Sequence, residues 1–173
     1  NMDTLVTRLV EFKADCAVEN EKGNTPLKLA VEKGMKMDLL QLLISSKASA
    51  AQVTRSGASL LHQVAQRPGD KSAPKSTGVV LSLGCPIDIV HATTGATPLS
   101  VAAGSKGGPK LIPTLLKAKA DPNYRSAQGQ TPLHQAAATG DAAAVGLLLK
   151  AKADPSTVGH VDDQPATPLH VAA

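Results

Sequence analysis

Hydrophobic residues recur along the chain in a short segment that has nearly the same sequence five times. The copies are TPLKLAV at 25–31, SLLHQVA at 59–65, TPLSVAA at 97–103, TPLHQAA at 131–137 and TPLHVAA at 167–173. Thr or Ser can cap a helix, and Pro is well tolerated at the first helical position. The apolar residues that follow share one face at helical spacing, and their alanines allow close approach of neighbouring helices. The pattern predicts that each copy begins a short helix.

A second apolar segment follows each copy and predicts a second helix. Examples are Leu39, Leu40, Leu42 and Leu43 in one unit, and Val145, Leu147, Leu148 and Leu149 in another. A closing motif comes next, as KADCA at 13–17, KASAA at 47–51, GCPID at 84–88, KADPN at 119–123 and KADPS at 152–156. The helix-starting copies are spaced by 34, 38, 34 and 36 residues, and the closing motif stays in phase with them. Two motifs that share one period indicate a repeat array.

The residues Thr-Pro-Leu-His and the closing Ala-Asp-Pro-Asn resemble those of the ankyrin-repeat family. The resemblance covers nearly the whole chain and implies an all-α repeat solenoid, an ankyrin-type stack of turn-helix-loop-helix units. We therefore expect a single ankyrin-repeat domain over residues 1–173. Its predicted parts are a partial unit at 1–13, full units at about 14–47, 48–84, 85–119 and 120–152, and a partial unit at 153–173. Because both end units are partial, we expect the segment to belong to a longer chain.

Two insertions interrupt the period. The segment RPGDKSAPKST at 67–77 is rich in Pro, Gly and Lys, which predicts an exposed loop. The segment STVGHVDDQPAT at 156–167 is also longer than its counterparts. Shorter turn segments, such as NEKGNT at 20–25 and SAQGQT at 126–131, carry a Gly two residues before the cap, which predicts a tight hairpin-like turn.

Lysine replaces the glycine that the family places after the second helix. The replacements are Lys13, Lys47, Lys119 and Lys152, while Gly84 keeps the family residue. The resemblance implies a left-handed backbone at these positions, which costs a non-glycine residue about 1 kcal/mol. A cation at a helix C-terminus recovers about 0.3 to 1 kcal/mol, and this electrostatic interpretation is the one we favour. The alternative is a basic edge, extended by Lys117 and Lys150, that faces an acidic partner.

Composition narrows the classes of function. With one Phe, one Tyr and no Trp, the core must consist of Leu, Val, Ile and Ala, and the chain lacks the aromatic faces that base-stacking nucleic-acid binders use. The net charge of +4 is mild and scattered, so binding of nucleic acid through the lysine edge is the weakest hypothesis. Cys16 and Cys85 form no CxxC pair, which favours a reducing intracellular compartment over a disulfide framework. No apolar run reaches the ~18 residues that a membrane span needs, so we expect no membrane insertion.

No group of residues predicts catalysis or a cofactor. At least a whole repeat separates each of the motif histidines His62, His134 and His170 from the next, so they cannot converge on one metal ion. The resemblance implies that these histidines stabilise the turns. His160, Asp162 and Asp163 lack the spacing of a calcium loop, so a solvated loop is the better interpretation. The sequence contains no Walker loop, HExxH, nucleophile elbow or dinucleotide-binding glycine turn. We therefore predict no enzyme activity, no cofactor and no metal site.

The resemblance implies a protein-binding module or scaffold that uses its turn tips and the exposed face of its first helices. An alternative function is a regulatory or targeting region attached to a catalytic domain outside this segment. The binding surface is predicted where side chains differ from unit to unit while the framework repeats. Its predicted residues are Glu21, Lys22, Leu29, Arg55, Gln63, His91, Val101, Tyr124, Arg125, Gln128 and Gln135. Tyr124 and Arg125 are the predicted hot spots, because Tyr and Arg are enriched there. We expect the partner to be another protein, and this expectation is compatible with the chain being part of a larger assembly.

Overall fold

The computed structural model of the chain describes residues 2–46, 48–49, 51–66, 73–105 and 108–173. Within these ranges the chain is mostly helical. The α-helices are α1 (Met2–Glu11), α2 (Pro26–Glu32), α3 (Met37–Ser45), α4 (Leu60–Ala65), α5 (Ala73–Ser82), α6 (Pro98–Ala103), α7 (Ile112–Lys117), α8 (Pro132–Ala138), α9 (Ala142–Lys150) and α10 (Pro168–Ala172). A short 3-10 helix, Gly108–Lys110, precedes α7.

Each first helix begins at the residue that the sequence predicts. Thr25 and Thr97 accept hydrogen bonds from the backbone N–H groups of Lys28 and Ser100, at 3.2 and 3.3 Å. Ser59 caps α4 in the same way, although a Leu follows it in place of Pro. The predicted helix starts are therefore confirmed, because a side-chain oxygen takes over an N–H group that the helix itself leaves unpaired.

Successive units pack helix against helix. α4, α6, α8 and α10 are first helices that contact one another in sequence, while α7 contacts the second helices α5 and α9. Three alanines at these contacts, Ala102, Ala136 and Ala144, are fully buried. Small residues let the helix axes approach closely, so mainly aliphatic side chains fill the core. The largest fully buried aliphatic side chains include Leu61, Leu99, Ile112, Leu115 and Leu148. The architecture is a stack of repeated helix-turn-helix units.

Polar bonds at the closing motif join neighbouring units. The backbone N–H of Asp121 donates to the carboxylate of Asp88, with N–O distances of 3.1 and 3.3 Å. Asn123 then connects to the following unit, because its amide nitrogen donates to the Lys152 carbonyl at 3.1 Å and its Oδ1 accepts from the Asp154 N–H at 2.7 Å. These bonds explain why acidic and amide residues recur at the closing motif.

The two insertions differ from the sequence prediction. Residues 73–77, predicted as part of an exposed loop, form the first half of α5, and Ala73 and Thr77 are buried. The rest of that predicted loop, residues 67–72, lies outside the described residues. The second insertion, for which the sequence favours a solvated loop, forms an antiparallel hairpin of β1 (Gly159–Val161) and β2 (Gln164–Ala166). The hairpin turns through Asp162 and Asp163, both in the left-handed region with φ of 49° and 62°. Asp tolerates that region better than most residues, which permits a two-residue turn.

Candidate functional site

The motif histidines organise the beginning of the first helices. In His62 the Nδ1 atom accepts from the backbone N–H and hydroxyl of Ser59, at 3.2 and 2.8 Å, and Nε2 donates to the Ala96 carbonyl of the next unit at 2.9 Å. His134 repeats this arrangement with Thr131 and the Ala166 carbonyl. His170 accepts from Thr167 in the same way. Both His62 and His134 are almost completely buried, so each histidine clamps its own helix start and, in these two cases, the neighbouring unit.

Burial also determines the charge of His62. Removal of water lowers the pKa of this imidazole, and the nearby His91 ring lowers it further, while the Ala96 carbonyl acts in the opposite direction. The two rings meet edge to face with their centroids 5.5 Å apart. A neutral imidazole with a fixed tautomer suits a structural clamp, which agrees with the role that the resemblance implies.

The turn tips are narrow loops that stack on one another. Thr54 and Ser126 donate backbone N–H bonds to Ala58 and Gln130 across their own turns, at 2.9 Å each. Gly57 has a φ of 87°, and a Cβ atom there would lie 2.9 Å from Cε1 of His91. Only glycine satisfies both the positive φ and this close approach. The predicted hairpin-like turns are therefore confirmed, and the tips form a continuous row.

Four of the predicted binding residues surround one concavity, which we call the N-terminal groove. The groove has a volume of about 590 Å³ and lies between two successive turn tips. The residues that define it are Glu19, Glu21, Lys22, Lys28, Arg55 and Gln63, with neighbouring turn residues. The Arg55 backbone N–H donates to Glu19 Oε1 at 3.0 Å, which joins the two tips. The groove carries charges of both signs.

Three further predicted residues surround a second concavity, which we call the C-terminal groove. Its volume is about 640 Å³. The predicted residues in its lining are Val101, Gln128 and Gln135, and the other polar residues that define it are Ser100, Gln130, His160, Asp162 and Asp163. The structure thus gathers seven of the eleven predicted residues into two grooves on turn tips and first helices.

The other four predicted residues lie outside these two linings. Leu29 is half-buried in a smaller apolar groove with Val6 and Leu43. Tyr124 is half-buried, and its backbone N–H approaches the Asp121 carbonyl at 3.4 Å. His91 is half-buried against His62, the motif histidine described above, and the fourth of these residues is Arg125.

Arg125, a predicted hot spot, is bound within the molecule. Its guanidinium donates to the Val158 carbonyl at 2.8 Å. The guanidinium also lies close to Gly129, since a Cβ atom added to that glycine would be 3.0 Å from one of its terminal nitrogens. This contact holds the base of the hairpin that follows. The structure therefore gives Arg125 a positioning role, which sequence reasoning did not foresee.

The hairpin residues are the part of the site that sequence reasoning missed. The sequence favours a solvated loop for His160, Asp162 and Asp163, and the described residues contain no cluster of three His, Cys, Asp or Glu side chains that could hold a metal ion. The sequence signal for these residues is the insertion itself, because a longer turn at one tip must lie beside the neighbouring turn tips. Its backbone registers with the adjacent tip, because the His160 N–H donates to the Gln128 carbonyl at 2.8 Å.

The lysines that replace glycine have the predicted left-handed backbone. The φ angles of Lys13, Lys119 and Lys152 are 61°, 67° and 65°, while Lys47 lies outside the described residues. The side chains of these three lysines are exposed at the ends of second helices. Lys117 and Lys150 occupy the last turns of α7 and α9, where a cation favours the helix dipole.

Both cysteines are buried, with exposures of 3% for Cys16 and 4% for Cys85. Burial raises the pKa of the Cys85 thiol to about 11, and it also raises the pKa of Cys16. A protonated thiol is a poor nucleophile, so the interpretation of Cys85 as a small core residue agrees with its surroundings.

Among the helices of the described ranges, none is both long and apolar enough to cross a membrane.

Comparison with known proteins agrees with this geometry. No curated protein matches the chain. The family model described as ankyrin repeats (3 copies) matches residues 99–173, which contain α7 to α10 and most of α6. Ankyrin repeats are generally non-catalytic modules for protein–protein interaction. The same helix pairs and capping motif continue through α2 to α5. Ankyrin repeats are therefore present in residues 99–173 of this chain.

Proposed function

We propose that the chain is a non-catalytic protein-binding module, a solenoid of ankyrin-type units that holds its partner along the turn tips and the concave side of the first helices. The observation that carries the proposal is the difference between framework and groove. Thr and Ser caps, buried leucines and motif histidines repeat from unit to unit. The equivalent first-helix positions Leu29, Gln63, Val101 and Gln135 alternate between aliphatic and amide side chains, and the two glutamines lie in different grooves.

Concavity and chemistry both support this assignment. The two grooves present amides, hydroxyls and charged groups, which can orient a partner and provide specificity. Apolar side chains such as Val101 and Ala96 lie beside these polar groups. A surface of this mixed kind is common in protein interfaces, where the polar rim surrounds a smaller apolar centre. Stacked repeats extend such a surface along the array, so one partner can contact several units.

Site-directed photo-cross-linking tests the proposal in an extract of the source cells. A photoreactive phenylalanine analogue replaces Arg55 or Gln128, which line the two grooves. The matched control places the same analogue at Ser82 or Ala143, which are exposed on the second helices α5 and α9. We expect one defined protein to be captured from the groove positions and far less of it from the controls. Equal capture from Ser82 or Ala143 would refute the proposed surface.

A further inference from the structure

The C-terminal groove has a wall with no counterpart among the described residues of the N-terminal groove. The hairpin Gly159–Ala166 closes one side of it, and hydrogen bonds attach this hairpin to the preceding unit. The His160 N–H donates to the Gln128 carbonyl at 2.8 Å, and the Gln130 amide nitrogen donates to the His160 carbonyl at 2.8 Å. Arg125 holds the Val158 carbonyl just before the hairpin. The wall is therefore fixed to the stack and brings its own side chains to the groove.

Two of the three glutamine side chains of the groove, Gln130 and Gln135, are oriented by a chain of hydrogen bonds. The Gln135 amide nitrogen donates to Gln130 Oε1 at 2.6 Å, and the Gln130 amide nitrogen is used by the hairpin. These bonds leave Gln135 Oε1 without a hydrogen-bond donor among the described residues. This oxygen lies near Gly104, and a Cβ atom added to that glycine would be 3.3 Å from it. The groove thus presents a hydrogen-bond acceptor in its lining.

The described residues that line the C-terminal groove carry charge of one sign only. The charged side chains in its described lining are Asp162 and Asp163, both exposed, and neither forms an ion pair within the described part of the chain. The N-terminal groove, by contrast, includes Lys22 and Arg55 beside its carboxylates. The chain as a whole carries +4, so this local negative charge is opposite to the average. A groove of acceptors and carboxylates is complementary to a cationic donor.

We propose that the C-terminal groove binds a segment of the partner protein that presents an arginine side chain to Asp162, Asp163 and Gln135. This inference rests on the proposed protein-binding function and specifies the chemistry of one of its two grooves. A guanidinium has several donors in a planar fork and pairs with carboxylates more specifically than the single ammonium group of lysine. A backbone group of the same segment faces the exposed amide of Gln128 in the groove lining.

A selection experiment tests the inference with defined probes. The full chain is used to select binders from a phage-displayed library of short random peptides, and each selected peptide is synthesised with Arg, Lys or the neutral isostere citrulline at its enriched basic position. Affinities are measured for the wild type and for Asp162→Asn with Asp163→Asn. Asn is well suited to the left-handed region, so the turn is retained in this variant. The control, Glu11→Gln with Asp38→Asn, removes the same charge at exposed positions of α1 and α3.

Selected peptides should contain arginine, and citrulline should weaken their binding to the wild type at least about tenfold. The hairpin variant should show a similar loss and should no longer distinguish arginine from citrulline, whereas the control should stay within about twofold of the wild type. Selected peptides that bind the hairpin variant as well as the wild type would overturn the inference but leave the protein-binding function in place. A selection that enriches no peptide would overturn the inference too, and the cross-linking experiment decides the broader function separately.

Discussion

Leu148 and Leu149 are neighbours in α9 that differ sharply in burial. Leu148 is completely buried in the contact between units, whereas Leu149 is 43% exposed. Replacement of each by Ala removes the same atoms from the same helix, so helix propensity contributes equally to both variants. The difference between the two losses in the free energy of unfolding therefore measures burial between repeats.

The expected magnitudes follow from the atoms removed. Leu→Ala deletes the equivalent of three methylene groups, each worth about 0.8 kcal/mol when fully buried, or about 2.4 kcal/mol in total. At Leu148 a cavity adds to this, which brings the expected loss to about 3 to 5 kcal/mol. Leu149 retains a little over half of that burial, and water fills the vacated space, so its expected loss is about 1 kcal/mol.

Urea melts provide the assay, with helix content followed by far-ultraviolet circular dichroism because the chain has one Tyr and no Trp. The midpoint should fall strongly for Leu148→Ala and only slightly for Leu149→Ala, with similar slopes. A loss of less than about 0.5 kcal/mol at Leu148, or equal losses at both positions, would show that the core between units is wrongly assigned.

Other predictions concern the buried hydroxyl, the left-handed lysines and the motif histidine. Thr77 Oγ1 is buried without a hydrogen-bond partner among the described residues, so Thr77→Val should stabilise the chain by about 1 kcal/mol in urea melts; a loss would mean that the hydroxyl is satisfied. Lys119→Gly relieves a positive φ and should raise stability by about 0.5 to 1 kcal/mol, while Lys117→Gly, within α7, should lower it by about 1 kcal/mol. The pKa of His62 in the folded state lies below its ordinary value of 6.5. As the pH falls below 6.5, the imidazole of the unfolded chain therefore binds a proton before that of the folded chain does. The stability contributed by neutral His62 should be complete above that pH and decline below it, and His62→Gln should reduce this slope in melts at a series of pH values.

Much of the stack could be predicted from the sequence because its determinants are local. Thr25 and Thr97 are capping residues in the sequence and caps in the structure. The left-handed backbone at Lys119 and Lys152 follows from alignment with a glycine position. Leu27 and Leu133 are buried because helical spacing places them on the face that neighbouring units cover. Each of these features depends on a few adjacent residues that the repeat confirms several times.

The remainder depends on contacts between units that a local pattern does not reveal. The sequence predicted a loop at residues 73–77, because Pro and Lys are frequent in loops, yet burial of Ala73 and Thr77 extends α5 through them. The role of Arg125 depends on the Val158 carbonyl, 33 positions later in the chain. The C-terminal groove likewise exists only because a single insertion forms a hairpin and registers with Gln128. Such pairings occur once, so no repetition in the sequence signals them.

Hydrogen exchange of the chain with and without its cross-linked partner tests the central claim most directly. If the partner lies along the turn tips and first helices, amides of the 54–59 and 126–131 turns and of α4 and α8 should exchange more slowly in the complex. Amides of the second helices α5 and α9 should exchange at unchanged rates. Protection confined to α5 and α9, with no change at the turn tips, would contradict the account.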